Sequence, residues 1–332
     1  MPPPRFGHRP VALIAQAIVE TRMRHFYRLF LALSACLLTG CSPFLYLNTF
    51  SPSEQAREHL DIAYGPLERQ RLDVFEPVSA HTQPAPVVIF YYGGAWDRGS
   101  KADYRFVGRT LAARGFIAIV PDYRVYPEVV FPGFIDDAAA ATAWAFENVP
   151  RFNGDPAQVF LMGHSAGAHI AAMLALNDAY LDARGVSPTQ LAGWIGLSGP
   201  YDFLPLQSRR LKKIFGDPAP RATQPIEFVS ATAPPALLIS GDADSTVIPR
   251  NTRRLAERLR ASGVEVREVI YPDVGHARTV AAFSTIADGL QEMAAKRHRY
   301  LVLTNETGRS VGIVTFRDIA EFFEAAFAIS VD

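Results

Sequence analysis

Ser165 stands in Gly163-His164-Ser165-Ala166-Gly167, after the apolar run Val159-Phe160-Leu161-Met162 and before Ala168-His169-Ile170-Ala171-Ala172-Met173-Leu174. The first run reads as a strand and the second as a helix, so the serine falls on the turn between them. A hydroxyl is a weak nucleophile until a neighbouring base takes its proton. A sharp turn flanked by glycines, which permit close backbone approach, lifts that hydroxyl clear of the chain. Such a serine suits acyl transfer through a covalent intermediate. The plainer alternative is a structural serine in a glycine-rich turn, and it weakens if an anion-stabilising loop, an acid and a base also occur in order.

They do. Upstream, Val87-Val88-Ile89-Phe90-Tyr91 runs into Tyr92-Gly93-Gly94-Ala95-Trp96. Two successive glycines after a strand can present backbone N–H groups to a negative oxygen, each donor worth about 2.7–4 kcal/mol of barrier. Gly93 and Gly94, with the N–H of Ala166, form the expected oxyanion neighbourhood. Downstream, Ala236-Leu237-Leu238-Ile239-Ser240 ends in Gly241-Asp242-Ala243-Asp244. Asp244 is the favoured acid; Asp242 is the alternative, and the aspartate not used is expected to stabilise the turn. The base is expected at His276, just past Gly275 on the loop after Val269-Ile270-Tyr271. Of the other histidines, His8, His25, His59 and His81 precede the serine, His164 and His169 flank it but precede the acid, and His298 falls at a basic helix end.

These residues need a scaffold of strand ends. Short apolar runs at 116–120, 159–162, 191–197 and 236–239 read as buried strands, with helical patterns at 104–114, 134–148, 165–176 and 251–262 between them. Alternation of this kind predicts an α/β fold with right-handed crossovers. Asp136-Asp137 is expected to serve the start of its alanine-rich helix. The loops at 123–132 and 201–228 are expected to shape the substrate pocket and any lid.

The stretch from Arg71 to His276 resembles the α/β-hydrolase superfamily, in its bacterial esterase and lipase-like branch. It is similar there to hormone-sensitive-lipase-type esterases, kynurenine-formamidase-like hydrolases and isoprenylcysteine methylesterases. Tyr92-Gly93-Gly94-Ala95-Trp96, Pro121-Asp122-Tyr123-Arg124, Gly154-Asp155-Pro156, the segment from Leu161 to His169, Gly241 to Asp244 and Gly275-His276 carry the likeness. It implies Ser165 as nucleophile, Asp244 as acid, His276 as base, Gly93, Gly94 and Ala166 at the oxyanion, no metal and no organic cofactor. Tyr92 departs from the family pattern. The histidine usual at that place props the oxyanion loop, so the exchange bears on loop geometry and substrate preference.

Composition fits an enzyme with a full-sized core: 332 residues, 49% apolar and 20% charged. Lys plus Arg and Asp plus Glu both number 33, so no bulk charge recruits nucleic acid. Both cysteines, Cys36 and Cys41, lie near the N-terminus, where basic Arg24-His25-Phe26-Tyr27-Arg28 precedes a short apolar stretch ending in Leu38-Thr39-Gly40-Cys41-Ser42. That ending resembles the lipobox of bacterial lipoproteins. It implies lipidation of Cys41, membrane anchoring in the cell envelope facing the periplasm, and, with Ser42 following, the outer membrane over the inner. Residues 1–22 are then expected to be an upstream extension, with Met23 as the true start. Residues 1–41 are read as signal and lipobox, 42–60 as a tether, and 61–284 as the catalytic domain.

Residues 285–328 do not belong to the hydrolase pattern. An amphipathic helix at 286–299 is expected, then strands Tyr300-Leu301-Val302-Leu303-Thr304 and Ser310-Val311-Gly312-Ile313-Val314-Thr315, leading into Phe316-Arg317-Asp318. The segment looks like a single CBS motif, a small ββα appendage. In that family the positions of Thr315 and Asp318 contact the ribose and phosphates of adenosyl ligands. CBS motifs come in pairs, so a complete site would need a homodimer through this segment. A remnant packing as an appendage is favoured over a working sensor.

The function expected is a serine hydrolase of small-molecule carboxylic esters. The alternatives are an arylformamidase-type amidase or peptidase on the same fold, or a non-catalytic binding protein regulated by an adenosyl ligand.

Overall fold

The computed structural model describes residues 47–49, 51–79 and 83–279, and the backbone of 300–304 and 310–315. Residues 47–49 fall in a separate unit; the rest belong to the unit that begins at Phe50. Eight strands form one sheet: β1 (Ala56–Ala63), β2 (Arg71–Pro77), β3 (Ala85–Tyr91), β4 (Ile117–Pro121), β5 (Gly154–His164), β6 (Gly193–Leu197), β7 (Ala236–Gly241) and β8 (Val266–Tyr271). Their order is β1-β2-β4-β3-β5-β6-β7-β8. Strand β2 runs antiparallel to β1 and β4, and every pair from β4 to β8 is parallel. Six helices of this unit among the described residues are α1 (Arg105–Ala112), α2 (Gly133–Asn148), α3 (Ala166–Leu176), α4 (Asp178–Asp182), α5 (Arg209–Phe215) and α6 (Arg250–Ala261).

Every residue of β4 and β6 is buried, as befits strands covered on both faces. Helix α3 is buried along its whole length. Its apolar side chains all round match a helix enclosed on every side rather than one with a wet face. Burial of Ile170, Met173, Leu174 and Leu176 contributes about 1.5–3 kcal/mol each. The helix directly behind Ser165 is thereby fixed to the sheet.

Two expectations need correction. Strand β1 takes in residues 56–60, which the polar composition had suggested for the tether. It is an edge strand paired only with β2, so most of its side chains are at least partly exposed and its sequence lacks an apolar run. Asp137 is not a helix-capping residue. It is buried in α2 four residues past the helix start, and its carboxylate takes two bonds from the Arg124 guanidinium and one from Gln70.

Strands β9 (Tyr300–Thr304) and β10 (Ser310–Thr315) form a separate antiparallel pair, at the positions expected from the sequence. Thr315 ends β10. Cys41, Asp318 and the helix expected at 286–299 lie outside the described residues.

Candidate active site

The parallel strands all end on one side of the sheet, and the candidate residues sit at those ends. Strand β5 aligns His164 with Leu197 of β6, and the Ser165 N–H donates to the Leu197 carbonyl at 2.9 Å. Ser165 itself adopts φ 54°, ψ −119° just before α3. A side chain in that region costs on the order of 1–3 kcal/mol, strain tolerated where the surroundings fix it. Gly167 explains how they do so: a Cβ there would collide with the carbonyl oxygens of Tyr91 and Tyr92. The first turn of α3 is pressed against the end of β3.

Strand β7 delivers the acid and the loop after β8 the base. Gly241 permits their approach, because a Cβ at this position would strike the Val274 carbonyl. His276 Nε2 lies 2.8 Å from Ser165 Oγ, and His276 Nδ1 lies 2.8 Å from Asp244 Oδ2. A carboxylate only accepts, so Nδ1 carries the ring proton and Nε2 is left to accept from the serine hydroxyl. The other oxygen of Asp244 accepts from the N–H groups of Thr246 and Val247 at 3.0 and 2.8 Å. Burial raises the carboxyl pKa of Asp244, but bonds from His276, Val247 and Ser198 and the charge of His276 outweigh it and hold it below the usual range. Asp242 is exposed and accepts from the Asp273 N–H at 2.7 Å, a turn-stabilising bond. Asp244→Asn is accordingly expected to lower kcat on the order of 10⁴-fold by inverting the His276 tautomer. Asp242→Asn should change it less than tenfold, and steady-state kinetics on the two variants distinguishes the carboxylates.

The glycine loop reaches the serine from the other side. The position of a Cβ on Gly93 would be 3.1 Å from Ser165 Cβ. Ala95 and Trp96 both have positive φ, 51° and 61°, so the chain turns tightly over the site. The Gly93 backbone faces the buried Tyr104 hydroxyl.

Tyr92 takes a structural part at the start of this loop. Its hydroxyl donates to Asp122 Oδ1 at 2.8 Å and accepts from Arg69 at 3.0 Å. Its ring stacks on Tyr123 at 4.6 Å and Tyr104 at 5.7 Å. Asp122 also accepts the Lys101 N–H, and Arg69 donates to the Gly99 carbonyl. The two ends of the loop are thus clasped by one ion-paired set. Phenol and carboxylate fill the place for which the family pattern uses a histidine.

His164, which the sequence marks only as flanking the serine, has a structural part. It is buried, its Nε2 donates to the backbone carbonyl of His276 at 3.1 Å, and the two rings lie 5.0 Å apart. Its Nδ1 has no partner. Burial, then the nearby His276, push its pKa down to about 4. Ser198 and Thr279 bond to each other at 2.9 Å beside the acid. None of these has a sequence signature, because each contact joins segments far apart in the chain.

A cleft of about 510 Å³ opens at Ser165. Ala95, Trp96, Phe203, Leu204, Val247 and Ile248 give it apolar walls, and Asp202, Arg210 and Arg250 add charge. The 201–228 loop contributes to this lining as expected. The 123–132 loop does not; it braces the site from behind, through Tyr126 N–H to the Trp96 carbonyl and Phe131 N–H to the Ile214 carbonyl.

Comparison with known proteins gives the family. The BD-FAE family model matches residues 72–259. The chain belongs to the BD-FAE family of α/β-hydrolase esterases. A CBS domain model matches residues 266–325, a span that begins at β8 and includes His276, so it overlaps the strand that closes the BD-FAE sheet. The chain is 34% identical to Esterase LipC of Mycobacterium tuberculosis, over 72% of this chain and 66% of that protein. It is 32% identical to the probable isoprenylcysteine alpha-carbonyl methylesterase ICMEL2 of Arabidopsis thaliana, over 72% of this chain and 61% of that one. This BD-FAE chain therefore spans about two thirds or less of the length of these relatives. Among solved structures, a truncated carbohydrate esterase from gut microbiota is similar in fold, with a TM-score of 0.63 at 21% identity, covering 74% of this chain and 99% of that one. Esterase 2 of Thermogutta terrifontis superposes with a TM-score of 0.60 at 23% identity, covering 74% and 95%.

Proposed function

We propose that this protein is a serine hydrolase of carboxylic esters, with Ser165 as nucleophile, His276 as general base and acid, and Asp244 as the group that orients the histidine. The observation that carries the reading is the unbroken chain of two 2.8 Å contacts from Ser165 Oγ through the imidazole to Asp244. Ser165 Oγ attacks the ester carbonyl as its proton passes to His276 Nε2. The carbonyl oxygen becomes an oxyanion beside the N–H groups of Gly94 and Ala166, where fixed dipoles stabilise it without reorganising. Collapse breaks the bond to the alcohol oxygen, which leaves with the proton from His276. Water then attacks the acyl-serine, gives its proton to the same nitrogen, and the acid departs as Ser165 regains its hydrogen.

The names of the relatives support ester over amide chemistry, being an esterase and a methylesterase. The test is turnover of p-nitrophenyl acetate, butyrate and laurate against p-nitroacetanilide by the full chain in mild detergent. Ester turnover far above anilide turnover is expected; anilide cleavage as fast as ester cleavage would favour the amidase alternative, and no turnover of either would contradict both.

The protein is further proposed to be lipidated at Cys41 and held on the periplasmic side of the envelope, at the outer membrane in preference to the inner. The support is the Leu38-Thr39-Gly40-Cys41-Ser42 pattern after a basic and apolar stretch. Among the described residues no helix is long and apolar enough to cross a membrane. The segment 285–328 is proposed as an appendage that the chemistry does not need, because Ser165, Asp244 and His276 all precede it, although the CBS match itself begins earlier, at residue 266. Pairing of two such segments in a homodimer would be required for an adenosyl site at Thr315 and Asp318.

A further inference from the structure

The mouth of the Ser165 cleft carries a guanidinium whose counter-charge is already taken. Arg210 and Arg250 both line the cleft. Arg210 is committed, with Nη1 2.6 Å from Asp97 Oδ2 on the loop after β3. Arg250 reaches a carboxylate only at 4.0 Å, at Asp202 Oδ2, and that oxygen is paired more closely with Arg254. The Arg250 side chain is 60% exposed at the first turn of α6.

The surrounding charge has the same sign. Helix α5 carries Arg209, Arg210, Lys212 and Lys213 and no acid. Helix α6 sets five arginines against Glu257 alone. Arg209, Lys213 and Arg253 are exposed and form no ion pair among the described residues. The chain as a whole is neutral, so this is a local excess of positive charge on the helices that border the cleft. With Asp97 and Asp202 each paired to an arginine, the charge left over at the cleft is positive, and such an excess between low-dielectric walls concentrates ligands of the other sign.

We propose that the cleft takes esters bearing a carboxylate, with Arg250 as the residue that seats it at the mouth while Trp96, Phe203 and Val247 enclose the uncharged part around the scissile bond. The proposal rests on the ester-hydrolase reading. A planar guanidinium suits a carboxylate because two parallel N–H groups can meet its two oxygens. A half-exposed pair is screened, so the gain belongs to binding and to encounter, and it declines with salt.

The test compares full-chain rates on monoethyl succinate, which carries its carboxylate on the acyl side, and O-acetylglycolate, which carries it on the alcohol side. Ethyl butyrate and ethyl acetate serve as the respective neutral partners. The expected result is a kcat/KM about tenfold higher for one charged ester than for its partner, expressed in KM and shrinking as ionic strength rises from about 0.02 to 0.5 M. That ratio should fall towards one in Arg250→Gln and largely return in Arg250→Lys. No charged-ester preference in the unaltered protein, or a preference that survives Arg250→Gln, would overturn the proposal. Calorimetry on Ser165→Ala, with and without Arg250→Gln, reads the same subsite without turnover. Binding of either charged ester that depends on Arg250 supports the subsite even if no ester is hydrolysed, in which case the hydrolase reading fails alone; equal binding by both proteins counts against the subsite.

Discussion

Ser165→Ala is expected to reduce kcat on p-nitrophenyl acetate on the order of 10⁶-fold while leaving the melting temperature within a few degrees of the parent. The size of the loss follows from covalent catalysis. Without Oγ there is no acyl-enzyme, His276 Nε2 has no proton to take from the protein, and hydrolysis falls back on water attacking a carbonyl held beside the Gly94 and Ala166 N–H groups. That residual path keeps some of the oxyanion stabilisation, so the rate should remain measurably above the uncatalysed one. The small effect on stability follows from position. Ser165 contributes its backbone N–H to Leu197 and its carbonyl to the first turn of α3, and alanine preserves both. A His276→Ala protein should lose about as much activity, and the double variant little more, because the residues act as one unit.

The second large effect is a loss of stability in acid that arises from two histidines the chemistry does not protonate. Burial, then the nearby His276, hold His164 near a pKa of about 4; burial does the same to His169, whose Nε2 donates to the Thr223 carbonyl at 2.8 Å. Both have an unpartnered Nδ1, as a neutral ring requires in a dry site. In the unfolded chain both titrate near 6.5. As pH falls from 6.5 to 4, the unfolded state binds two protons that the folded state refuses, so stability drops through that window and levels off below it. At 1.36 kcal/mol per pKa unit, the displacement to about 4 corresponds to about 3 kcal/mol for each histidine. Against a typical stability of about 5–15 kcal/mol, that is a large fraction lost by pH 4. Asp244 acts in the same direction at lower pH, since its folded pKa is depressed and its contribution is lost as pH falls through it. Urea midpoints at pH 7 and pH 4.5 measure the effect. The parent's midpoint should fall clearly between the two, whereas the His164→Gln, His169→Gln double variant should show a much flatter dependence.

What the sequence made legible has a physical boundary. The parallel strands from β3 to β7 were readable as apolar runs because both faces are covered, and the site residues were readable because strand ends, glycines and reactive side chains fall together in a fixed order. Strand β1 was not readable, since an edge strand wetted on one side resembles a polar linker. Asp137 was misread for a related reason: a carboxylate near a helix start looks like a helix-terminal charge until Arg124 and Gln70, distant in the chain, are seen to surround it. Asp244 is favoured over Asp242 because the third residue after Gly241 can point back toward the histidine, but the loop path that sets it there depends on contacts distant in the chain. The clasp at Tyr92 and the bond from His164 to the base loop have the same character. They join segments 30 and 112 residues apart, and no local pattern announces them.

The most direct measurement is covalent labelling of the full chain with a fluorophosphonate, followed by mass spectrometry of the digested protein. A serine activated by His276 should react stoichiometrically and lose its esterase activity in step, with the adduct confined to the peptide that contains Ser165 and absent from Ser165→Ala and His276→Ala. An adduct on another serine, or full ester turnover by protein whose Ser165 is unmodified after complete labelling, would contradict the account.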